Sequence, residues 1–388
     1  QRDKTILMLK TYKFKLNPNK TQQLRLDQWL STCRFVYNLC LWYKKDLYSS
    51  YGKKISKNEM QKELSQLRKE YDWIGDVYSQ TIQDVTDRLD KSYQSFFRGG
   101  GFPKFAKRGL YSSFAFKQGV GICENTNKIK LPSLGKISFR RHRDIPSETE
   151  IKYTIIKKEY NGWFICLVCE AGNEIKEQNK NIIGIDLGIK DFLITSKGEK
   201  FSNPKYLRQY ELRLKKAQRG LARKKKGSEN RKKNIFEIQK LHAKVRNTRK
   251  DFLHKLSTSI INENQVIIVE ELMIKNMIKN HKLAKSISDA SWGMFKNMLE
   301  YKSKFHGREF ISISPHNTSK DCSCCGWRNE NLTLNIREWI CEECGVIHDR
   351  DINAAMNIKQ KGIKELKLKE AGHVFSTYGE MVRVTEPA

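Results

Sequence analysis

Four of the ten cysteines in this 388-residue chain fall where metal ligands would. Cys322-x2-Cys325 and Cys341-x2-Cys344 form two knuckles with fifteen residues between them, the spacing of a four-thiolate zinc site. Gly326 and Gly345 follow the knuckles and let the backbone turn tightly beneath an ion. Two disulfides or four free thiols are the competing readings, and the spacing favours zinc over both. Cys324 is the odd thiol inside the first knuckle. Just past the second knuckle stand two acids, Asp349 and Asp351, at the head of a helix-like Asn353-Ala-Ala-Met-Asn-Ile run. Two more, Asp186 and Glu270, close the apolar runs Ile182-Ile-Gly-Ile and Val266-Ile-Ile-Val. Carboxylates brought from separate elements can hold two Mg²⁺ ions about 4 Å apart and cleave a phosphodiester. Hard oxygen ligands suit Mg²⁺ and soft thiolates suit zinc, so the two sites need not compete. Each acid alone is weak evidence, since an Asp closing a strand is usually a cap; Asp186, Glu270 and Asp351 in order are stronger.

The flanking elements must position these groups. Tyr12, Phe14 and Leu16 alternate with Lys13 and Lys15, the period of a half-buried strand. Helical spacing runs over 21–48, a second helix opens on a Ser56–Glu59 capping box, and a third is expected over 76–97. These helices make a small helical domain up to Gly99-Gly-Gly. In the Phe102-to-Arg108 segment, Lys104, Lys107 and Arg108 interleave with aromatics that could stack on nucleobases; a solvated loop is the plainer reading. Short β-like runs from 114 to 170 read as a small β-barrel to which the first strand could return. Cys166-x2-Cys169 lies in one of them, where its offset points the thiols to opposite faces, so no second site is expected. A polar linker covers 172–181.

The run ending at Asp186 is a buried strand, and Asp191-Phe-Leu-Ile-Thr the strand that hairpins back. Residues 205–250 hold eighteen Lys/Arg against three Glu, an excess of fifteen, about half of the chain's +31. We read them as a basic helical hairpin interrupted at Gly220, Gly227 and Asn234. A helix is expected to open at Asp289 and run to Phe305, and Glu309-Phe-Ile-Ser-Ile is a strand feeding the knuckles. A tail from 372 to 388 has little pattern and is expected to be disordered.

A net charge of +31 and a pI of about 9.7 argue for a polyanion partner, because Lys and Arg displace counterions from phosphates. Of the basic stretch at 205–250, one surface so one-sided would repel itself without such a partner. A membrane is the alternative, but the basic stretches lack matching apolar faces, and no apolar run nears eighteen residues. Without a signal-peptide pattern the expectation is a cytoplasmic protein, where cysteines serve metals rather than disulfides.

Ile185-Asp186-Leu-Gly-Ile, Val269-Glu270-Glu271-Leu, the Thr318-Ser-Lys-Asp-Cys322 ribbon and Asp349-Arg-Asp351-Ile-Asn-Ala-Ala together resemble the TnpB family, transposon-encoded relatives of type V CRISPR effector nucleases. Arg34-x2-Tyr37-Asn38, Phe102-Pro-Lys-Phe105 and Trp292-Gly-x-Phe295 are similar to further family features, so the resemblance covers nearly the whole chain. It implies a multidomain α+β protein: a RuvC-like nuclease of ribonuclease H fold with an inserted zinc ribbon, a β-barrel wedge domain and a helical recognition domain. The implied map is a first wedge strand at 1–17, the recognition domain at 18–105, the wedge barrel at 106–172, and the nuclease at 173–318 and 348–371 around a ribbon at 319–347. It implies an RNA-guided DNA endonuclease, monomeric on a guide RNA from the transposon end, acting on double- and single-stranded DNA in the prokaryotic cytoplasm at the nucleoid. By the same likeness Asp186, Glu270 and Asp351 are the catalytic acids with two Mg²⁺, and Cys322, Cys325, Cys341 and Cys344 hold one structural zinc. Asp349 is the runner-up for the third acid. Glu271 stands where the family commonly has Asp, which leaves Glu270 and Glu271 both open. Arg219, Arg223, Lys224, Lys225, Lys226, Arg231 and Lys232 of the hairpin, with Lys104, Lys107 and Arg108, are the expected nucleic-acid contacts. A nuclease-weak guided repressor and an unguided zinc-ribbon DNA-binding protein or transposase are the rival readings.

Overall fold

The computed structural model describes residues 8–123, 126–146, 149–333, 335–370, 373–375 and 381–383. The chain divides into two compact units, Gln1–Gly172 and Asn173–Ala388.

In the first unit β1 (Met8–Asn17) turns Tyr12, Phe14 and Leu16 into the core, as the alternation requires. Asn19 and Gln22 form a capping box that starts α1 (Lys20–Tyr51), and Ser56 and Glu59 form another at α2 (Lys57–Glu70). The helix expected over 76–97 forms as one piece and starts three residues later. A single turn, α3 (Asp72–Gly75), precedes α4 (Ser79–Phe97). The start of α4 is set by Tyr78, whose backbone (φ −51°, ψ 131°) is not helical, and Arg68 Nη2 holds the preceding turn by donating to the carbonyls of Gly75 and Val77 at 2.9 Å each. Strands β2 (Ser113–Phe116), β3 (Gly121–Cys123), β4 (Lys128–Leu131), β5 (Gly135–Arg140), β6 (Ile151–Glu159) and β7 (Gly162–Ala171) complete a seven-stranded antiparallel sheet. Its order is β2-β6-β7-β1-β5-β4-β3, with β1 returning between β7 and β5. Cys166 is half-buried on one face of β7 and Cys169 buried on the other. Helices and sheet share one hydrophobic core, where Trp29 of α1 packs on Phe114 and Phe116 at ring-centroid distances of 5.9 and 6.0 Å.

The second unit is built on β8 (Ile182–Asp186), β9 (Asp191–Thr195) and β10 (Lys200–Ser202). The hairpin α5 (Tyr206–Ala222) and α6 (Glu229–Glu263) leads into β11 (Val266–Glu270). Then come α7 (Ile274–Met277), α8 (His281–Ala290), α9 (Trp292–His306) and β12 (Glu309–Ile313). The sheet order is β10-β9-β8-β11-β12; β8, β11 and β12 run parallel, and β9 alone is reversed, pairing antiparallel with both β8 and β10, which is the ribonuclease H arrangement. Beyond it lie β13 (Glu338–Ile340), β14 (Ile347–Asp349) and the long α10 (Arg350–Glu370). Two glycines let α10 lie directly on the sheet. A Cβ at Gly184 of β8 would come within 2.2 Å of the Ala355 carbonyl, and one at Gly362 of α10 within 2.5 Å of the Ile268 side chain.

Two sequence expectations change in this unit. Of the three residues expected to interrupt the basic hairpin, only Gly227 (φ 85°) lies in the turn. Gly220 and Asn234 lie within the helices, where a Cβ on Gly220 would sit 3.4 Å from Asn234 Nδ2; they mark a close approach of α5 to α6. The helix expected to open at Asp289 instead starts at Trp292, because Ser291 adopts a left-handed conformation (φ 59°) that ends α8. Asp289 belongs to α8, and its carboxylate accepts from the Leu207 amide at 3.1 Å and from Arg249 Nη2 at 2.6 Å. In the tail expected to lack order, β15 (His373–Phe375) pairs with β16 (Met381–Arg383), and the rest of 372–388 lies outside the described residues. No described helix is long and apolar enough to cross a membrane.

Candidate metal centres

The two cysteine knuckles repeat one backbone design. Gly326 N donates to the Cys322 carbonyl at 2.9 Å and Gly345 N to the Cys341 carbonyl at 2.8 Å. Cys322 N donates to Trp327 O at 2.7 Å and Cys341 N to Val346 O at 2.9 Å, closing each turn. Both glycines sit at positive φ, 85° and 69°, which a side chain would resist. The sulfurs of Cys322, Cys325, Cys341 and Cys344 therefore converge, all within 4.8 Å of one another. Cys322 and Cys344 are 3.6 Å apart and Cys325 and Cys341 3.5 Å. Around a tetrahedral ion with Zn–S bonds of about 2.3 Å, sulfurs lie about 3.8 Å apart, so the set fits zinc. Against the cost of desolvation, amide donors at Cys344 and Glu343 and the neighbouring thiols lower Cys341, while Cys325 and Cys344 are raised, so the four do not ionise together without a cation. Cys324 is exposed and takes no part in the cluster. Sequence reasoning missed His348. It is buried, its Nε2 lies 3.0 Å from Cys322 Sγ, and its ring rests on Trp339 at a centroid distance of 4.8 Å. The only sequence signal for it was its place between the second knuckle and the acids.

The acids come from three elements of the sheet unit: Asp186 from the end of β8, Glu270 from the end of β11, Asp351 from the first turn of α10. Desolvation pushes the Asp186 carboxyl up to about 7, with the charges of Glu270 and Asp351 adding to it and Arg350 opposing. Burial also raises Glu270, opposed by the hydrogen bond from Thr318 and the charge of Lys361. The two pairs left open by the sequence differ in placement. Glu270 is buried and accepts from Thr318 Oγ1 at 2.8 Å, whereas Glu271 is exposed and pairs with Lys296 at 3.4 Å. Asp349 caps α10: its Oδ1 accepts from the amides of Asp351 and Ile352 at 3.0 and 3.1 Å, and its Oδ2 pairs with Lys200. Against desolvation, these donors hold Asp349 below the usual carboxylate range.

The charges of Glu270 and Asp351 both act on Asp186. The cysteines are the only group of three or more metal-binding side chains that converges on one point among the described residues. Asp351 is turned onto two guanidinium groups, accepting from Arg337 Nη1 at 2.8 and 3.1 Å and from Arg350 at 3.1 and 3.3 Å.

The expected nucleic-acid contacts are spread over both units. Lys104, Lys107 and Arg108 are exposed, beside a loop that Asn38 ties down by paired bonds with Ala106 at 2.7 and 3.2 Å. On the hairpin, Arg219, Arg223, Lys225, Lys226 and Lys232 are exposed. Lys224 and Arg231 instead close the α5–α6 turn: Arg231 Nη1 donates to Leu221 O at 2.7 Å, and Lys224 Nζ to Asn230 O at 3.1 Å. Lys232 pairs with Glu229 at 2.6 Å.

Comparison with known proteins adds three family models. Residues 164–281 match one described as "Probable transposase", residues 292–358 one described as "Cas12f1-like, TNB domain", and residues 8–54 one described as "Helix-turn-helix domain". That last stretch holds β1 and the single helix α1. The chain is 33% identical over 360 residues to the "Putative RNA-guided DNA endonuclease" of Streptomyces pristinaespiralis, spanning 91% of this chain and 89% of that one. It is 28% identical to the "Putative RNA-guided DNA endonuclease InsQ" of Escherichia coli (strain K12), over 98% of this chain and 96% of the relative. Among solved structures, Cas12f1 in complex with sgRNA and target DNA shares the fold, with a TM-score of 0.58 at 17% identity over 88% of this chain and 83% of that one.

Proposed function

The chain belongs to the TnpB family, and on that premise we propose that it is an RNA-guided DNA endonuclease of a transposon whose catalytic ligands are Asp186, Glu270 and Asp351. The observation that carries the site is the placement of the three acids, Asp186 closing β8, Glu270 closing the adjacent β11 and Asp351 in the first turn of the helix packed on that sheet, with the charges of Glu270 and Asp351 acting on a desolvated Asp186. Three acids crowded in this way are held ready for cations. When bound there, two Mg²⁺ ions would supply an activated water and charge stabilisation at the leaving oxygen. The chain's own part is orientation. Thr318 holds Glu270, Asp349 caps the helix that presents Asp351, and Gly184 and Gly362 let that helix sit on the sheet. Cys322, Cys325, Cys341 and Cys344 hold one zinc, which fixes the ribbon.

Guide pairing supplies sequence choice in such a system, while exposed bases on the hairpin and on the Phe102–Arg108 loop hold phosphates without reading bases. The partners proposed are a guide RNA from the transposon end and a double- or single-stranded DNA target, with the protein monomeric on its RNA in the cytoplasm at the nucleoid. One observation favours a second reading. The Asp351 carboxylate is occupied by Arg337 and Arg350, as it would be in a guided DNA-binding repressor with weak cleavage.

One experiment separates these. The protein is purified with its co-expressed RNA, the RNA is sequenced, and a supercoiled plasmid carrying the matching target is incubated with Mg²⁺ beside a gel-shift of the same target. Asp186→Ala, Glu270→Ala and Asp351→Ala are expected to abolish cleavage and keep guided binding, and Asp349→Ala to be milder. Cleavage by Asp186→Ala would overturn the ligand assignment. Absence of cleavage by the native chain together with tight guided binding would favour the repressor, and absence of a defined RNA the unguided protein.

A further inference from the structure

Thr318 lies four residues before the first zinc knuckle and is 5% exposed. A threonine in a turn ordinarily satisfies its hydroxyl on nearby backbone. Here Oγ1 reaches 48 positions back along the chain to donate to Glu270 Oε1 at 2.8 Å. Its carbonyl is held as well, accepting from Asn357 Nδ2 of α10 at 2.8 Å. The same helix grips the rest of the segment. Asn357 and Asn353 both donate to Asp321 O, at 2.6 and 2.8 Å; Asn353 Oδ1 accepts from Ser323 N at 2.9 Å; and Gln360 Nε2 donates to Ser323 O at 2.8 Å. Asn353, Asn357 and Gln360 are spaced four and three residues apart, so they form one polar stripe on α10. Asp351 sits at the head of that helix, and Cys322 lies inside the gripped segment.

We infer that Thr318 is a positioning residue for Glu270, and that residues 318–323 tie that carboxylate to the zinc knuckle and to the helix bearing Asp351. The inference rests on the proposal that Glu270 and Asp351 are cation ligands. A carboxylate at a strand end has free rotation about its side-chain bonds, and a buried hydroxyl donor fixes one oxygen and therefore the direction of the other. Partners of this kind, outside the ligands themselves, usually carry a large share of metal affinity. Glu271, which has no such buried donor, is turned outward onto Lys296.

The test uses the full chain with its RNA and Mn²⁺ as the probe, followed by calorimetry and electron paramagnetic resonance, with zinc content measured in the same samples. Thr318→Val keeps the shape of the side chain and deletes the donor. Its Mn²⁺ affinity is expected to fall about 10- to 100-fold, with the Mg²⁺ concentration for half-maximal cleavage rising alike. Zinc content and guided DNA binding are expected to stay native, and Thr318→Ser to restore the affinity. Native Mn²⁺ affinity in Thr318→Val, beside lost affinity in Glu270→Ala, overturns the inference alone. Zinc loss in Thr318→Val also overturns it, since the residue would then support the knuckle. Native Mn²⁺ affinity in Glu270→Ala overturns the ligand assignment and the inference with it.

Discussion

The cysteine cluster and the acid cluster of the second unit differ in how closely their ligand atoms converge. The four sulfurs already converge, whereas the three carboxylates share a field without meeting at a point. Local chemistry accounts for the first. Each knuckle is a closed turn of six residues, and its glycine and amides set the sulfur pair. The acids come from positions 186, 270 and 351, and drawing three carboxylates together without cations costs repulsion and desolvation. The fold therefore parks them: Glu270 on a hydroxyl, Asp351 on guanidinium groups, Asp186 with its carboxyl raised towards neutrality. A soft site can be prebuilt by short-range backbone geometry. A hard site built from distant strands depends on the separate contacts that hold each acid.

The largest effect that would test this contrast is loss of a thiolate. Cys322→Ser and Cys344→Ser are expected to lose the zinc outright, because a three-thiolate knuckle pair is incomplete, and to loosen the ribbon around Trp339 and Leu332. Cys324→Ser is expected to keep full zinc. Metal analysis of the purified variants decides it: zinc retained in Cys322→Ser, or lost in Cys324→Ser, would show that the convergence seen here is not the binding set.

A smaller effect concerns pH. Asp186 has its folded pKa raised to about 7, above the ordinary carboxylate value of about 3.9. A group raised in this way contributes stability that is fully present below its unfolded pKa and is lost as pH climbs through 7. Glu270 shifts in the same direction. With divalent cations omitted, the second unit of Asp186→Asn is therefore expected to outlast the native one at pH 8, by an amount on the order of a few kcal/mol at most. The two should match near pH 4. Urea unfolding at both pH values measures it, and an equal gap at the two would mean that the acid is not parked near neutrality.

What could be read from the sequence divides along the same line. The knuckles were legible because ligand spacing and the glycines lie within a few residues of each other, and the capping boxes at Asn19 and Ser56 are equally local signals. Strand-ending acids were legible as candidates because apolar runs stop at them. The choice of Glu270 over Glu271, and of Asp351 over Asp349, needed three-dimensional neighbours: Thr318, Lys296, Lys200 and the amides at the head of α10. Gly184 and Gly362 carried no local pattern, since their meaning is a helix lying on strands distant in sequence, Gly184 meeting Ala355 and Gly362 meeting Ile268. Gly220 misled for the same reason, being a contact with Asn234 that read as a helix break.

The smallest predicted effect bears most directly on the parked state. Arg337 stands in the ribbon segment between the knuckles, its carbonyl bonded to Arg350 N at 2.8 Å, and its guanidinium reaches Asp351 Oδ2 at 2.8 Å. At 48% side-chain exposure such a pair contributes about 1 kcal/mol or less, so an arriving cation can displace it. Arg350 is far less exposed, at 12%, and holds the same carboxylate from the other side, so removing Arg337 alone should free Asp351 only in part. Arg337→Gln is accordingly expected to tighten Mn²⁺ binding by about two- to fivefold, since 1 kcal/mol corresponds to roughly a fivefold change. Zinc content should not move, because Arg337 contributes no ligand to the knuckles. Calorimetric titration of Mn²⁺ into the native and variant proteins measures the shift. Weaker rather than tighter binding in Arg337→Gln would mean that the arginine orients Asp351 for the cation, and the two metal centres would then both be prebuilt.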